Sequence, residues 1–317
     1  MNQFIFDELI GTPTILAANR AKRTDQTGAV NSAVAKKTNE PAVCFFCKGN
    51  ESTTPPTLYQ DADDWNVRVF ENAFPIVENH EVIVHSPYHD TDLPDLPTEQ
   101  VVRYVRAILN RVNYHTSRGK EVLVINNRGG KAGASILHPH SQVFALAGFP
   151  GILELEKDEA LRYYNEHNSC YWCDEIVKEV GEGKRVVLET AHFIVFVPKA
   201  SRWSYETILI PKAHRSNIEY MADVEISDFA EVLKTVCKSY DILLDKPDRN
   251  FWIHTQKYAP YHWHMGFIPH TKVPGGLEFG AGIWVSDRAT PEDAAKALGE
   301  SARNIESIIS KTPLIGG

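Results

Sequence analysis

Two Cys-x-x-Cys pairs in this chain are each followed by three histidines at matching distances. The first set is Cys44, Cys47, His89, His138 and His140, and the second is Cys170, Cys173, His214, His262 and His264. Corresponding members lie 124 to 126 positions apart. Five residues of metal-ligand type rarely recur at a near-constant offset by chance. The pattern therefore predicts two tandem copies of one unit of about 125 residues. We place the first copy at residues 1–147 and the second, with a C-terminal helix, at 148–317.

The segments between these residues predict the same order of elements in both copies. Runs rich in β-branched and aromatic residues predict strands, and apolar residues at helical spacing predict one long helix per copy. In the first copy the strands are 66–75, 81–87 and 121–127, and the helix is 98–116. In the second copy the strands are 186–198, 205–211 and 250–256, and the helix is about 227–244. Each copy then ends in a strand that carries the His-x-His pair. A mainly antiparallel sheet with a helix on one face is an α+β fold.

Two further helices are predicted in the second half. Residues 148–168 form a helical connector between the copies, and a last helix runs from about 291 to 310. Thr290, followed by Pro291 and Asp293, is typical of a helix start. Thr98 and Ser227 are predicted to cap the helices at 98–116 and 227–244. Cys237, at an apolar helix position, is predicted to be a buried small hydrophobe.

Two cysteines and two histidines are a common closed ligand set for tetrahedral zinc. We predict two such sites, the first from Cys44, Cys47, His89 and His138 and the second from Cys170, Cys173, His214 and His262. Protein side chains fill all four positions, which indicates two structural zinc ions that connect distant strands. The alternative is that each Cys-x-x-Cys is a redox pair and the histidines are unrelated. The duplication of the histidines together with the cysteines argues against it.

Charge and hydropathy exclude several classes of protein. The 317 residues include 33 Lys and Arg against 41 Asp and Glu, a net charge of −8. This balance disfavours nucleic acid or an anionic membrane surface as the main partner. No run approaches the ~18 apolar residues of a membrane span. The N-terminal residues lack the basic and apolar regions of a signal peptide, so a cytoplasmic location is expected.

The two copies differ in the loop before the His-x-His strand. The first copy has NNRGGKAGASIL, with Gly129, Gly130 and Gly133 beside Arg128 and Lys131, whereas the second has HTQKYAPY. A glycine-rich basic loop brings backbone N–H groups and positive charge against phosphate oxygens. On composition alone, the loop is also compatible with a simple flexible turn.

The second residue after the His-x-His pair also differs between the copies. Residues i and i+2 of a strand point to one side, so His138, His140 and Gln142 are expected to share a face. If zinc takes His138, then His140 is a free imidazole and a nucleophile near pH 7, with an amide donor beside it. The second copy has His264 but Gly266 in place of the glutamine. We therefore expect the first copy to hold the chemistry and the second to be scaffold or substrate wall.

These residues resemble the galactose-1-phosphate uridylyltransferase branch of the histidine triad superfamily, over nearly the whole chain. CFFCKGN (44–50) followed by PYH (87–89) is similar to the zinc-site pattern of that branch, and HPHSQ (138–142) is similar to its active-site signature. ANRAKR (18–23) resembles its arginine-bearing segment, and FENAFP (70–75) resembles its strand beside the base and ribose.

The resemblance implies a role for each matching residue. His140 corresponds to the nucleophile, held in one tautomer by the His138 carbonyl, and Gln142 corresponds to the glutamine that contacts the transferred phosphoryl group. Phosphate contacts are implied for Arg20, Arg23, Asn127, Gly133 and Ser135. Base and ribose contacts are implied for Phe45, Asn72, Ala73 and Phe74, with the two phenylalanines flanking the base. A homodimer is implied as well.

Part of the C-terminal half departs from the galactose-specific pattern. By ungapped pairing, Gly280 stands where galactose-specific members carry a sugar-contacting glutamate. This segment and the second Cys2His2 set are more similar to the ADP-glucose phosphorylase type, because other members replace that set with a Glu/His iron site or lose it.

The function that this resemblance implies is transfer of a nucleoside monophosphate between sugar 1-phosphates through a nucleotidyl-histidine. The partners are a nucleotide sugar and a sugar 1-phosphate or phosphate. The first expectation is a UDP-hexose:hexose-1-phosphate, or galactose-1-phosphate, uridylyltransferase. One alternative is an adenylyltransferase or phosphorylase that acts on ADP-glucose or a dinucleoside polyphosphate. A second is a non-catalytic, zinc-stabilised binding module.

Overall fold

A computed structural model describes residues 4–18, 20, 25, 26 and 44–311 of the chain. Twelve strands and six α-helices lie within these residues. The strands are β1 (Phe4–Phe6), β2 (Pro13–Ile15), β3 (Thr57–Gln60), β4 (Arg68–Glu71), β5 (Asn79–Val84), β6 (Glu121–Arg128), β7 (His140–Leu146), β8 (Val186–Glu189), β9 (Phe193–Phe196), β10 (Thr207–Pro211), β11 (Arg249–Thr255) and β12 (His264–Pro269). The helices are α1 (Thr98–Thr116), α2 (Ile152–His167), α3 (Tyr171–Glu182), α4 (Asp223–Leu243), α5 (Gly276–Ala281) and α6 (Pro291–Lys311).

Ten strands form one antiparallel sheet, whose order shows the duplication. The order is β3-β4-β5-β7-β6-β11-β12-β10-β9-β8, and β1 pairs with β2 in a separate hairpin. Read inward from either edge, the five strands of one half correspond to the five of the other. The halves join where β6 pairs with β11, with Ile125 opposite Trp252. The α+β prediction is confirmed, and the two halves share a continuous sheet.

Helices α1 and α4 cover one face of this sheet with their apolar sides. Val101, Val105 and Val112 of α1 are fully buried, as is Phe229 of α4. They belong to one apolar cluster that also takes in residues from the central strands of both halves. Cys237 is buried in the same cluster, as predicted. The opposite face of the sheet carries two smaller apolar clusters and, in the first half, a cavity.

Buried charges also join the two halves. Arg249 on β11 has no exposed surface and pairs with Asp92 from the first half and, at 3.3 Å, with Asp241 of α4. Arg128, at the end of β6, lies 3.3 Å from the same Asp92 carboxylate. A buried charge that loses its partner is costly, so this network disfavours separation of the halves.

Several element boundaries differ from the sequence prediction. Residues 186–198 form two strands, β8 and β9, which pair with each other. Helix α4 begins at Asp223, so Ser227 is an exposed residue inside the helix that bonds back to the Asp223 carbonyl and does not cap. Pro97 occupies the cap position of α1, and the Thr98 hydroxyl reaches Glu231 instead.

The start of α6 is as predicted. The Thr290 hydroxyl accepts the N–H of Asp293 at 3.1 Å and donates to its carboxylate at 2.8 Å. The connector prediction corresponds to α2, whereas α3, α5 and strands β1, β2 and β3 were not predicted. Among the described residues, no helix combines the length and apolar character that crossing a membrane requires.

Candidate active site and metal centres

A cavity of about 540 Å³ lies on the helix-free face of the first half. Its walls contain every residue described by the structure that the sequence analysis assigned to catalysis or nucleotide binding: Arg20, Phe45, Asn72, Ala73, Phe74, Asn127, Gly133, Ser135, His140 and Gln142. Arg23 lies outside the described residues. Apolar side chains that the sequence analysis did not single out complete the wall, among them Phe46, Phe70, Ile125 and Phe144. A concave apolar site with a few convergent polar groups is typical of a small-molecule pocket.

His140 is the first residue of β7 and is buried at the base of this cavity. Its Nδ1 lies 2.9 Å from the carbonyl oxygen of His138. A carbonyl only accepts, so Nδ1 carries the proton and Nε2 has a free lone pair. Burial lowers the pKa of His140, despite this hydrogen bond, so the ring is neutral at pH 7. The tautomer contact predicted for His140 is confirmed, and a neutral imidazole with a free Nε2 is suited to nucleophilic attack.

The glycine-rich loop between β6 and β7 is held tightly. Gly129 has φ of +87°, and a Cβ there would lie 1.9 Å from the Asp248 carboxylate. That carboxylate accepts the backbone N–H of Lys131 at 2.7 Å. Gly133, with φ of +82°, lines the cavity. The alternative of a flexible turn is disfavoured, because a side chain from the second half fixes the loop.

The basic side chains of this loop do not face the cavity, contrary to expectation. Arg128 donates to the carbonyls of Lys246 and Pro247, at 2.8 and 3.0 Å. Lys131 lines a different surface depression. The β6–β11 junction draws Arg128 toward the second half. Of the loop, only Gly133, Ala134, Ser135 and Ile136 line the cavity.

The turn at 72–76 forms the opposite wall. Asn72 Oδ1 accepts the N–H of Phe74 at 2.8 Å, which fixes the turn. Arg20 donates to the Phe74 carbonyl at 2.7 Å and so connects the N-terminal segment to the same wall. Phe45, which lies between the two cysteines of the first set in sequence, is 36% exposed and lines the cavity. The two phenylalanines proposed from the resemblance thus both reach the cavity.

The first Cys2His2 set forms a cluster beside this cavity. Cys47 Sγ lies 3.3 Å from His89 Nδ1 and 3.6 Å from His138 Nδ1, and Cys44 Sγ lies 3.7 Å from His138 Nδ1. A tetrahedral zinc ion with ordinary Zn–S and Zn–N bonds separates its S and N ligands by about 3.6 Å. His138 Nε2 donates to the Ser86 carbonyl at 2.9 Å, which leaves Nδ1 free for a metal.

The second set repeats this geometry. Cys173 Sγ lies 3.4 Å from His214 Nδ1 and 3.7 Å from His262 Nδ1, and Cys170 Sγ lies 3.9 Å from His262 Nδ1. His262 Nε2 donates to the Pro211 carbonyl at 3.0 Å. Each cysteine pair has its two histidines within metal-ligand distance, which disfavours the alternative that the histidines are unrelated to a redox pair. Both sets can hold a metal ion.

The second half contains a smaller cavity, of about 280 Å³, beside the second Cys2His2 set; its wall includes Cys170, Tyr171 and Trp172 but not His264. His264 occupies the place of His140 and donates from Nδ1 to the His262 carbonyl at 3.1 Å. Where Gln142 stands in the first half, Gly266 faces Trp252, and a Cβ on Gly266 would lie 2.5 Å from that indole. The indole therefore fills the space that the glutamine takes in the first half.

A glutamate from the connector lies beside His264. Glu156 of α2 accepts from His254 at 2.8 Å and from the Tyr261 hydroxyl at 2.9 Å, and it lies 3.9 Å from His264 Nε2. Glu156, His254 and His264 form a third group with metal-ligand atoms in one place. The sequence analysis missed it, because Glu156 lies about 100 residues from either histidine and carries no local signal.

We expect Gly266→Ala to lower the free energy of unfolding by about 1–3 kcal/mol, because the added methyl overlaps the Trp252 ring in a packed interior. The control is Gly280→Ala, where a Cβ would meet no heavy atom within 4 Å. Urea unfolding of both variants checks the difference. Equal stability of the two variants would contradict the view that the Trp252 indole packs directly on Gly266.

A doubled sheet with a His-x-His pair in each half, and a cavity lined by the buried His140, is the arrangement expected from the sequence for a nucleotidyltransferase of the histidine triad type. The family models for galactose-1-phosphate uridyl transferase match here, the N-terminal domain at residues 78–150 and the C-terminal domain at 156–274. Together they span more than half of the chain. The chain belongs to the galactose-1-phosphate uridyl transferase family.

Several relatives illustrate the range of this family. ADP-glucose phosphorylase of Arabidopsis thaliana is 29% identical over 90% of this chain and 89% of its own. The crystal structure of an ADP-glucose phosphorylase from Arabidopsis thaliana with bound ADP-glucose has a TM-score of 0.75 at 28% identity, covering 95% of this chain and 99% of that one. Galactose-1-phosphate uridylyltransferase of Thermotoga maritima is 28% identical over 88% of this chain and 96% of its own. The structure of a GalT-like protein from Arabidopsis thaliana has a TM-score of 0.75 and is 30% identical, covering 82% and 93%.

Proposed function

We propose that this chain transfers a nucleoside monophosphate between sugar 1-phosphates through a covalent nucleotidyl-histidine on His140. One observation carries the proposal. The neutral His140 ring, with its proton fixed on Nδ1 by the His138 carbonyl, projects into the cavity lined by all the described residues of nucleotide-binding type. No second histidine with this arrangement and an open cavity occurs among the described residues.

The reaction is a pair of displacements at one phosphorus. Nε2 of His140 attacks the α-phosphorus, a P–N bond forms, and the P–O bond to the sugar 1-phosphate breaks, with that group leaving as an anion. A phosphate oxygen of a second sugar 1-phosphate, or of inorganic phosphate, then attacks, and the P–N bond breaks. Two easier steps replace one difficult displacement. The His138 carbonyl stabilises the positive charge that develops on the ring when Nε2 is bonded.

The cavity walls suggest how the nucleotide lies. Phe45 and Phe74 offer rings to the base, and Asn72 with Ala73 offers polar and backbone groups to the ribose. Phosphate contacts are assigned to Arg20, Asn127, Gly133, Ser135 and Gln142. These assignments follow from the family resemblance, and the location of all nine in one cavity supports them.

Two classes of nucleotide sugar are candidates for the substrate. Our first proposal is UDP-hexose with galactose 1-phosphate as acceptor, the activity named for the Thermotoga maritima relative. Gly280, which lacks any side chain where galactose-specific members carry a glutamate, favours a second candidate, a phosphorylase or adenylyltransferase of ADP-glucose. The relative that binds ADP-glucose in its crystal structure supports this candidate.

We also propose that each Cys2His2 set holds one structural zinc ion. The S···N distances of 3.3 to 3.9 Å fit tetrahedral zinc. Four protein ligands leave no position for substrate, so the ions connect strands and do not take part in transfer.

We further propose that the boundary between the two copies lies at 147/148 and that the protein is a homodimer. Exposed apolar side chains at 273–285, including Phe279 at 77% exposure, support an interface.

Exchange of labelled sugar 1-phosphate tests the function. The protein is incubated with UDP-glucose, UDP-galactose or ADP-glucose, with labelled glucose 1-phosphate, galactose 1-phosphate or inorganic phosphate as acceptor. We expect label from a sugar 1-phosphate to enter one nucleotide sugar, or label from inorganic phosphate to enter a nucleoside diphosphate. Protein mass should increase by one nucleoside monophosphate when no acceptor is present. Binding without exchange or mass increase would favour the non-catalytic module and contradict the proposal.

A further inference from the structure

Two side-chain amides, those of Gln142 and Asn127, line the part of the cavity assigned to phosphate. An amide has one donor end and one acceptor end, and only the donor end stabilises an anionic phosphoryl group. The groups behind each amide therefore decide whether it helps or hinders transfer. The structure determines these groups for both residues.

His80 lies behind Gln142. It is 2% exposed, and its Nε2 lies 2.8 Å from Gln142 Oε1. Its Nδ1 lies 3.1 Å from the backbone N–H of Ile76, which can only donate. Nδ1 is therefore the acceptor, and the proton of the neutral ring is on Nε2. Burial lowers the pKa of His80 to about 4, despite the bond to Gln142, so the ring is neutral at pH 7.

Among the described residues, no other acceptor lies within hydrogen-bond distance of this proton. The nearest alternative, Asn72 Nδ2, lies 3.2 Å from His80 Nε2. This atom is the NH2 end of the amide, which can only donate, because Asn72 Oδ1 already accepts the N–H of Phe74. The Nε2 proton of His80 therefore goes to the oxygen of Gln142. The amine end of Gln142 is left to face the cavity, and the His80 ring is fixed by stacking on Phe144 at 4.3 Å.

Asn250, on β11 of the second half, lies behind Asn127. Its Nδ2 is 2.9 Å from the Ala132 carbonyl and 2.8 Å from Asn127 Oδ1. The Ala132 carbonyl can only accept, so this end of Asn250 is the amine and the Asn127 atom beside it is the oxygen. The oxygen of Asn250 accepts from His270 Nε2 at 2.6 Å. The Asn127 amine is thus turned toward Gly133, which lines the cavity.

We propose that His80 and Asn250 are positioning residues that turn the amides of Gln142 and Asn127 so that both present N–H to the transferred phosphoryl group. Backbone groups of fixed polarity, the Ile76 N–H and the Ala132 carbonyl, set the direction of each chain of hydrogen bonds. The proposal rests on the proposed nucleotidyl transfer. It gives the second half a part in the active site, although the cavity that His140 lines is formed by residues of the first half.

The first test uses His80→Phe, which keeps a ring on Phe144 but removes the donor. We expect kcat for exchange to fall about 10–100-fold, with KM for the nucleotide sugar changed by less than about threefold, because an oriented donor acts on the transition state. His80→Gln, whose amide reaches the position of Nε2, should recover most of the loss. In a Gln142→Ala background, His80→Phe should lower kcat by less than about a further threefold, since the two residues act through one contact. Independent, multiplying losses would overturn the assignment.

The second test uses Asn250→Asp, which is isosteric but has only acceptors, so Asn127 must present its oxygen to phosphate. A drop in kcat of about 10–100-fold is expected, which disappears in an Asn127→Ala background. Asn250→Leu, close in volume and uncharged, separates loss of the donor from the added charge and should also lower kcat. Normal kcat in both variants would refute the role of Asn250.

A readout without turnover separates failure of this inference from failure of the proposed function. In protein labelled with ¹⁵N at histidine, His80 should be protonated at Nε2 at pH 7. With ¹⁵N at the side-chain amides, the NH2 signals of Gln142 and Asn127 should shift when UDP or ADP is added. A proton on Nδ1, or unshifted amides with bound nucleotide, would overturn the inference even in an active enzyme. An inactive wild type with the expected tautomer and amide shifts would overturn the transfer proposal alone.

Discussion

Replacing His140 with alanine is expected to abolish nucleotidyl transfer and the covalent intermediate, with a loss of many orders of magnitude. Without the nucleophile, the covalent intermediate cannot form. None of the other side chains described in the cavity wall presents a neutral nitrogen with a free lone pair to replace it. Both metal ions and the fold should remain, because the Nδ1 atoms of His89 and His138 face the cysteines and His140 does not. Exchange rates, protein mass after mixing with nucleotide sugar, metal content and circular dichroism check these outcomes.

His264→Ala is the matched control. His264 has the same carbonyl partner and the same place in its half, but Glu156 and Trp172 surround it and it does not line the cavity. We expect exchange to fall by no more than about 10–200-fold, through about 1–3 kcal/mol of lost positioning. If the His264 variant were inactive and the His140 variant near normal, the assignment of the halves would be reversed.

The repeated ligands predicted the duplication because metal ligands are local signals with strict chemical identity. The sheet order, with β6 and β11 at the centre, agrees with a doubled unit. Helix α1 was predicted at its observed bounds, since its apolar spacing matches a buried face over five turns. Ser227 was mistaken for a cap because a serine before an apolar run satisfies the same pattern when it lies one turn inside a helix.

Two features could be found only from the structure: the position of Arg128 and the packing of Trp252 on Gly266. Each depends on which strands meet at the junction of the halves, and strand order is not encoded in local periodicity. Gly266 was noticed as a missing glutamine, but its reason, an indole 2.5 Å from its absent Cβ, lies on the neighbouring strand. His80 was likewise invisible in sequence, because its role is set by one backbone N–H from the preceding turn.

Cys44→Ser is expected to remove one of two bound zinc ions and to lower transfer by about 100-fold or more. Metal ligands contribute folding free energy, so a loss of roughly 3 kcal/mol or more in the free energy of unfolding is also expected. Transfer is affected because the first site adjoins the cavity. Phe45 and Phe46 lie between its cysteines and line the cavity wall, and the Phe46 ring is 5.1 Å from that of His140. Metal analysis, urea unfolding and exchange rates give the three values.

Cys170→Ser provides the comparison that separates stability from chemistry. The second site has nearly the same S···N distances, so its loss should remove one zinc ion and a similar free energy of unfolding. It adjoins Trp172 and His264, which do not line the cavity that holds His140, so exchange below the unfolding transition should stay within about threefold of wild type. If both serine variants lost transfer equally at a temperature where both are folded, the first ion could not act by shaping the cavity. If wild-type protein bound less than half an equivalent of metal, the Cys2His2 assignment itself would be wrong.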